Sequence, residues 1–279
     1  MENTEKQNVG EWFVFGEYKV EKLMDGLYAL DDGKDSSFYV LEGSQKAAVI
    51  DTGMGDGDVM PVIRQMTSLP CELLITHAHG DHMMHSGEFE KRYMSSKDIP
   101  VVLEFVKSMG MDPVLGTLEY TAFDPGAVLD LGNGVTLECV AMYGHTPGSV
   151  GYYCQKYNII FSGDAFGSGM GVWMQVPYAV CVSEYKKNLE AFLAWAQDKD
   201  PSMEFLTGHR SQRYGFGDME QDNPVRLDMI RDMVVLCQKL LDKEMTGTIM
   251  DAPISFGEEK AMTASYGRAG MVFLPSGVK

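Results

Sequence analysis

Hydrophobic and polar positions alternate along the chain in short blocks. Over 17–51 they follow the period of strands: residues 18–23 alternate, Asp25-Gly26 is a hairpin turn signal, and 26–30, 37–41 and 47–50 continue the pattern. Asp58 followed by Val59, Val62, Ile63 and Met66 predicts a helix over 58–66. The run Leu73-Leu74-Ile75 predicts a short buried strand. A helix is expected over 83–91, and another from Pro100 with Val101, Val102, Phe105, Val106 and Met109 on one face. Residues 128–161 are β-like, with a turn at Gly132-Asn133-Gly134 and a hairpin pairing 150–154 with 158–161.

Further on, Ser183 is expected to cap a helix through Gln197, and Phe205-Leu206 to form a strand. Asn223-Pro224 opens a helix reaching about Asp242, with Leu227, Ile230, Val234 and Leu241 as its stripe. The tail, 247–279, is irregular, with a strand expected at 271–274. Strands then helices, twice over, predict two packed sheets with helices outside.

Composition narrows the setting. A chain of 279 residues with 45% hydrophobic content can bury a sizeable core. No apolar run approaches the about 18 residues that span a bilayer, and the first eight residues are polar, without a signal-peptide core. Cys71, Cys139, Cys154, Cys181 and Cys237 form no Cys-x-x-Cys pair, so neither a disulfide framework nor a zinc knuckle is indicated. A formal net charge of -17 opposes nucleic acid and anionic membranes as partners. The expectation is a cytoplasmic protein with a small-molecule substrate; an apolar loop at 165–181 leaves a homodimer open.

The chemistry concentrates in Thr76-His77-Ala78-His79-Gly80-Asp81-His82, directly after the predicted strand. Imidazole and carboxylate are the ligands that zinc and similar divalent ions take. His77 and His79 can serve one metal while Asp81 and His82 turn toward a second. His145 and His209 also stand in loops after apolar runs, and Asp51 and Asp164 end two others. His85 is expected to be a pocket or surface side chain.

As an ordered set these residues resemble the motifs of the metallo-β-lactamase superfamily: Ile-Asp-Thr-Gly at Asp51, His-x-His-x-Asp-His at 77–82, His145, Ser-Gly-Asp at Asp164 and Thr-Gly-His at His209. The resemblance implies a four-layer αββα sandwich over 1–215 with a C-terminal helical extension over 216–279. It implies two divalent metal ions, zinc first, with iron or manganese as the other choices. His77, His79 and His145 would hold the first ion, Asp81, His82 and His209 the second, and Asp164 would bridge them. Asp51 would orient the site from behind the ligands. Asp81 and Asp164 are the carboxylates expected in catalysis.

Cysteine is absent from the second-metal positions, unlike the pattern of many true β-lactamases, and Asp81 is the choice of glyoxalase II and lactonases. The implied reaction is hydrolysis of an ester, thioester or lactone by a metal-bridging hydroxide. The rival readings are a mononuclear iron persulfide dioxygenase and a phosphodiesterase of the same superfamily. For the substrate, Met170, Trp173, Met174 and Tyr178 are candidates for an apolar wall or lid, and Arg210 and Arg213 for a carboxylate anchor. No basic cluster follows His209, and Gly167 stands where lactonases carry tyrosine.

Overall fold

A computed structural model describes residues 9–108, 110–167, 171–211, 225–250 and 257–279. The first sheet opens as an antiparallel meander of β1 (Trp12–Phe15), β2 (Tyr18–Met24), β3 (Leu27–Asp31), β4 (Ser37–Glu42) and β5 (Ala47–Ile50). To it β6 (Cys71–Leu74), β7 (Arg92–Met94) and β8 (Thr121–Ala122) add in parallel, giving eight strands in sequence order.

The second sheet holds β9 (Val128–Gly132), β10 (Val135–Ala141), β11 (Val150–Cys154) and β12 (Ile159–Gly163). After β13 (Val172–Trp173) has left for a third sheet, β14 (Glu204–Thr207) completes the second in the order β14-β12-β11-β10-β9. The third sheet runs β13-β17-β16-β15, with β15 (Thr248–Ile249), β16 (Met262–Tyr266) and β17 (Ala269–Phe273). The helices are α1 (Val59–Ile63), α2 (Gly80–Met83), α3 (Ile99–Ser108), α4 (Val182–Ala196) and α5 (Leu227–Leu241).

Successive strand residues point to opposite faces, and here both faces are covered. In β4, Phe38 and Val40 join Val59, Val62 and Val102 under the helices, while Tyr39 and Leu41 join Leu137, Tyr152 and Phe161 between the sheets. On the far side, Ile160, Leu189, Phe192, Ile230 and Met233 build a third apolar layer beneath α4 and α5. That is the expected αββα order, and it explains why β5, β11 and β12 read as continuous apolar runs.

Several local expectations give way to tertiary contacts. The helix expected over 83–91 starts earlier, as α2, and is followed by a 3-10 turn at Ser86–Glu88 and then β7. The Ser86 hydroxyl donates to the Met83 carbonyl at 2.7 Å, a local bond that competes with helix propagation. Glu88 meanwhile turns to cap α1, accepting from the Val59 and Met60 N–H groups at 2.9 and 2.8 Å. Asp58, the expected cap, makes no side-chain cap bond.

Helix α4 begins at Val182, with Cys181 rather than Ser183 at its N-cap. Asn223-Pro224 lie outside the described residues, as do Met109 and the expected 215/216 boundary; α5 runs from Leu227. Beyond α5 the extension is not helical throughout: β16 and β17 form a hairpin where one strand at 271–274 was expected. The small and polar residues of Met262–Tyr266 give too little hydrophobic contrast to announce a strand. Because β13 pairs in parallel with β17, the extension is stitched to the chain that follows Asp164. No helix among the described residues is long and apolar enough to cross a membrane.

Candidate metal centre

β5 runs parallel to β6, β12 parallel to β14, and β10 shares the direction of β12. Their C-terminal ends meet at one edge of the sandwich. They deliver Asp51 after β5, the 77–82 turn after β6, His145 after β10, Asp164 after β12 and His209 after β14. Cross-sheet bonds fix this edge: Val150 N donates to the Thr76 carbonyl (2.9 Å), the Tyr152 hydroxyl to that of Ile75 (2.7 Å), and the Tyr39 hydroxyl to that of Thr207 (2.5 Å).

The ligand-type atoms fall into three overlapping groups, each within 4.8 Å: His77, His79 and His145; His77, His82 and Asp164; Asp81, His82 and His209. Asp164 faces both outer groups. Its Oδ2 lies 3.0 Å from His209 Nε2 and 3.7 Å from His145 Nε2, and its Oδ1 lies 3.6 Å from His82 Nε2. Gly208 makes this approach feasible, since a Cβ there would stand 2.3 Å from Asp164 Oδ1 and 2.6 Å from the His82 ring.

Hydrogen bonds at the outer edges of the rings aim their inner nitrogens at the centre. His145 Nδ1 lies 2.7 Å from the Trp173 carbonyl, which only accepts, so the proton sits on Nδ1 and Nε2 presents its lone pair. His82 Nδ1 likewise donates to Asp51 Oδ2 at 3.0 Å. Asp51 has φ 62°, a left-handed conformation that costs about 1–3 kcal/mol in a non-glycine residue. Its carboxylate also accepts from Thr76 N and Thr76 Oγ1, both at 2.7 Å. Three charge-assisted bonds at about 1.5–3 kcal/mol each outweigh the strain.

The fit to a metal rests on atoms left without partners. His77 Nε2, His79 Nε2, His82 Nε2 and Asp164 Oδ1 are buried and hydrogen-bonded to nothing. Each such atom left unpaired costs about 1–3 kcal/mol, and a cation among the four would satisfy them together. A nitrogen- and carboxylate-rich set of this kind suits divalent zinc, iron or manganese.

Electrostatics divides the centre in two. Burial, then the neighbouring imidazoles, holds His77 well below its ordinary value; burial likewise holds His79 well below, and it lowers His145 against the opposing pull of Asp164 and the Trp173 carbonyl. These three rings are neutral and ready to ligate. For His82 and His209 burial acts in the same direction, but the Asp81 and Asp164 carboxylates outweigh it; His82 rises well above its usual range and His209 to about 9. Burial pushes Asp81 and Asp164 up, yet His82 and His209 draw both well below the carboxylate range. This side also faces solvent: Asp81 and His209 keep 27% and 21% of their side-chain surface exposed, against 3% for His145.

The substrate candidates separate. Tyr178 stands exposed at the rim, also left-handed (φ 68°), its hydroxyl donating to Glu104 at 2.7 Å. Its ring lies 6.1 Å from Phe105, whose ring in turn lies 4.3 Å from His79. Trp173 contributes its carbonyl to His145 and is half-buried in β13. Met174 is buried in the outer core with Val172 and Met271. Arg210 pairs with Asp31 at 3.3 Å. Met170 and Arg213 lie outside the described residues. His85 turns away, donating from Nε2 to the Gly55 carbonyl at 3.1 Å with Nδ1 3.2 Å from Glu88.

Two contributors escape a reading of the sequence. Phe105 shows there only as an apolar helix position. Asp98, wholly buried before α3, carries no motif that would single it out; it accepts from Ala78 N, Thr146 Oγ1 and Gly148 N at 2.9, 2.7 and 2.7 Å. Burial pushes its carboxyl up against the pull of those bonds.

The sandwich and its edge cluster define a class of protein. The profile of the metallo-beta-lactamase superfamily matches residues 31–209, and the chain belongs to that superfamily, a hydrolase-type family. Among its relatives is a probable metallo-hydrolase, YqgX, of Bacillus subtilis (strain 168), 30% identical over 147 residues covering 48% of this chain and 67% of that one. A hydroxyacylglutathione hydrolase of Bdellovibrio bacteriovorus is 28% identical over 148 residues, 49% of this chain and 51% of its own. The match thus spans about half the length of that relative. Among solved structures, a metallo-beta-lactamase from Erythrobacter litoralis shares the fold, with a TM-score of 0.58 at 16% identity over 82% of this chain and 100% of that one.

Proposed function

We propose that the chain is a dinuclear metal-dependent hydrolase that cleaves an ester, thioester or lactone, with zinc as the metal. The observation that carries this reading is Asp164, whose two oxygens face His82 on one side and His145 and His209 on the other, amid buried ligand atoms with no other partner. Two bound divalent ions would supply a water nucleophile at neutral pH and polarise the scissile carbonyl. His77, His79 and His145 would hold one ion, Asp81, His82 and His209 the other, and Asp164 both.

The chain's own residues do the rest. Asp51 and the Trp173 carbonyl lock His82 and His145 in the tautomers that aim Nε2 inward. The buried imidazoles keep bulk water from one side, so substrate enters on the side of Asp81 and His209. Phe105 and Tyr178 present an apolar wall beside His79, suited to a hydrophobic acyl or ring group. Arg210 is engaged with Asp31, so the substrate's apolar part, more than a charge, sets its position. The relative named hydroxyacylglutathione hydrolase supports acyl transfer to water as the reaction class. Five free cysteines fit a reducing compartment, and we place the protein in the cytoplasm.

A panel of lactones, thioesters, aryl esters and phosphodiesters, assayed with and without chelator, tests the proposal. Chelator-sensitive turnover of acyl substrates is the expected result. Turnover confined to phosphodiesters, or oxygen uptake with a single iron, would assign the site to another chemistry.

A further inference from the structure

The triad His77, His79 and His145 is assembled from two loops on different sheets, and one buried carboxylate holds those loops together. Asp98 stands at the head of α3, and its side chain turns away from that helix. Oδ2 accepts from the Ala78 N–H, the peptide between the two histidines of the first loop, at 2.9 Å. The same oxygen accepts from Thr146 Oγ1, next to His145, at 2.7 Å, and Oδ1 accepts from Gly148 N, also at 2.7 Å. Thr146 is braced in turn by Ser149, whose Oγ accepts from Thr146 N and lies 2.9 Å from its hydroxyl. Gly148 must lack a side chain here, because a Cβ would stand 2.5 Å from Asp98 Oδ1.

We infer that Asp98 is a positioning residue for the all-histidine half of the metal centre. It touches no ligand side chain; it sets the spacing of the two loops that deliver three of them. The inference rests on the metal reading above. Asp81, His82 and His209 share only the first loop with this triad, so their ion is predicted to feel the loss of Asp98 much less. Carboxylates that support ligands from behind typically govern 10–100-fold in metal affinity.

The test compares the wild-type holoenzyme with Asp98→Asn, Asp98→Ala and the milder Thr146→Val. Zinc per chain is measured after dialysis, each binding constant by competition with a chromophoric chelator, and folding by circular dichroism and thermal unfolding. The expected result is a wild-type chain holding two ions, and variants in which one equivalent weakens about 10–100-fold while the other shifts less than about threefold. Thr146→Val should show the same selectivity with a smaller loss, and it stands if Asp98→Ala fails to fold. Two equivalents retained at wild-type affinity in every folded variant would overturn the inference and leave the metal reading intact. Equal weakening of both would also overturn it, since the carboxylate would then serve the whole edge alike. A wild-type chain holding no metal would overturn the metal reading itself.

Discussion

The two halves of the centre differ in chemistry, in charge and in exposure. The His77, His79 and His145 half is all nitrogen, buried and neutral, with its loops fixed from behind by Asp98 and the Trp173 carbonyl. The Asp81, His82 and His209 half is partly open and carries a carboxylate, and Asp81 and Asp164 push both of its imidazoles above their ordinary range against the effect of burial. The second keeps Asp81 and His209 partly exposed to solvent. Under the proposed dinuclear reading the first half would retain its ion and the second would meet the substrate, with Asp164 facing both.

The largest effect should come from cutting that link. Asp164→Ala is predicted to reduce acyl hydrolysis by roughly 10³-fold or more while the far-ultraviolet circular dichroism stays unchanged. A variant retaining a tenth of the activity would dissolve the comparison, because neither half would then depend on the other.

Asp51→Ala comes next. It frees His82 Nδ1 and the Thr76 bonds, so affinity for one ion should fall about 10–100-fold, read by chelator competition. Loss confined to the ion held by His145 would reverse the assignment of Asp51 to the open half.

At the rim, Tyr178→Ala should narrow the preference for bulky over small acyl groups by about tenfold in kcat/KM, with metal content unchanged. Equal loss on both substrates would place the tyrosine in the chemistry and not in the wall.

The smallest effect concerns the cap of α1, outside the metal centre. Glu88→Ala should cost about 1 kcal/mol through loss of the α1 cap, a fall of roughly 2–4 °C in Tm, without change in bound metal. Burial pushes the Glu88 carboxyl up, but hydrogen bonds from His85, Val59 and Met60 outweigh this and lower it. Its contribution is thus present above the unfolded value of about 4.3 and lost as pH falls through the lower folded value. The wild type and the variant should converge in Tm on acidification; a gap that widens would contradict the cap.

The αββα layering and the residues that gather at the sheet edge were legible in the sequence because they depend on local signals. Strands buried on both faces read as apolar runs, and each ligand follows such a run within a few residues. What stayed hidden depends on contacts distant in sequence. Glu88 caps a helix 28 residues away. Asp98 joins loops at 78 and 148, and β17 pairs with β13 across the chain. Met174 read as wall because a methionine near a glycine-rich loop looks exposed, whereas the third sheet buries it.

The central claim is that both halves hold metal and that hydrolysis needs them. Its most direct test is elemental analysis of the native protein, coupled to hydrolysis of an apolar thioester as metal is stripped and restored. The expected result is two divalent ions per chain, loss of turnover on stripping, and recovery that completes only at the second equivalent. Full turnover by a verified metal-free sample would contradict it.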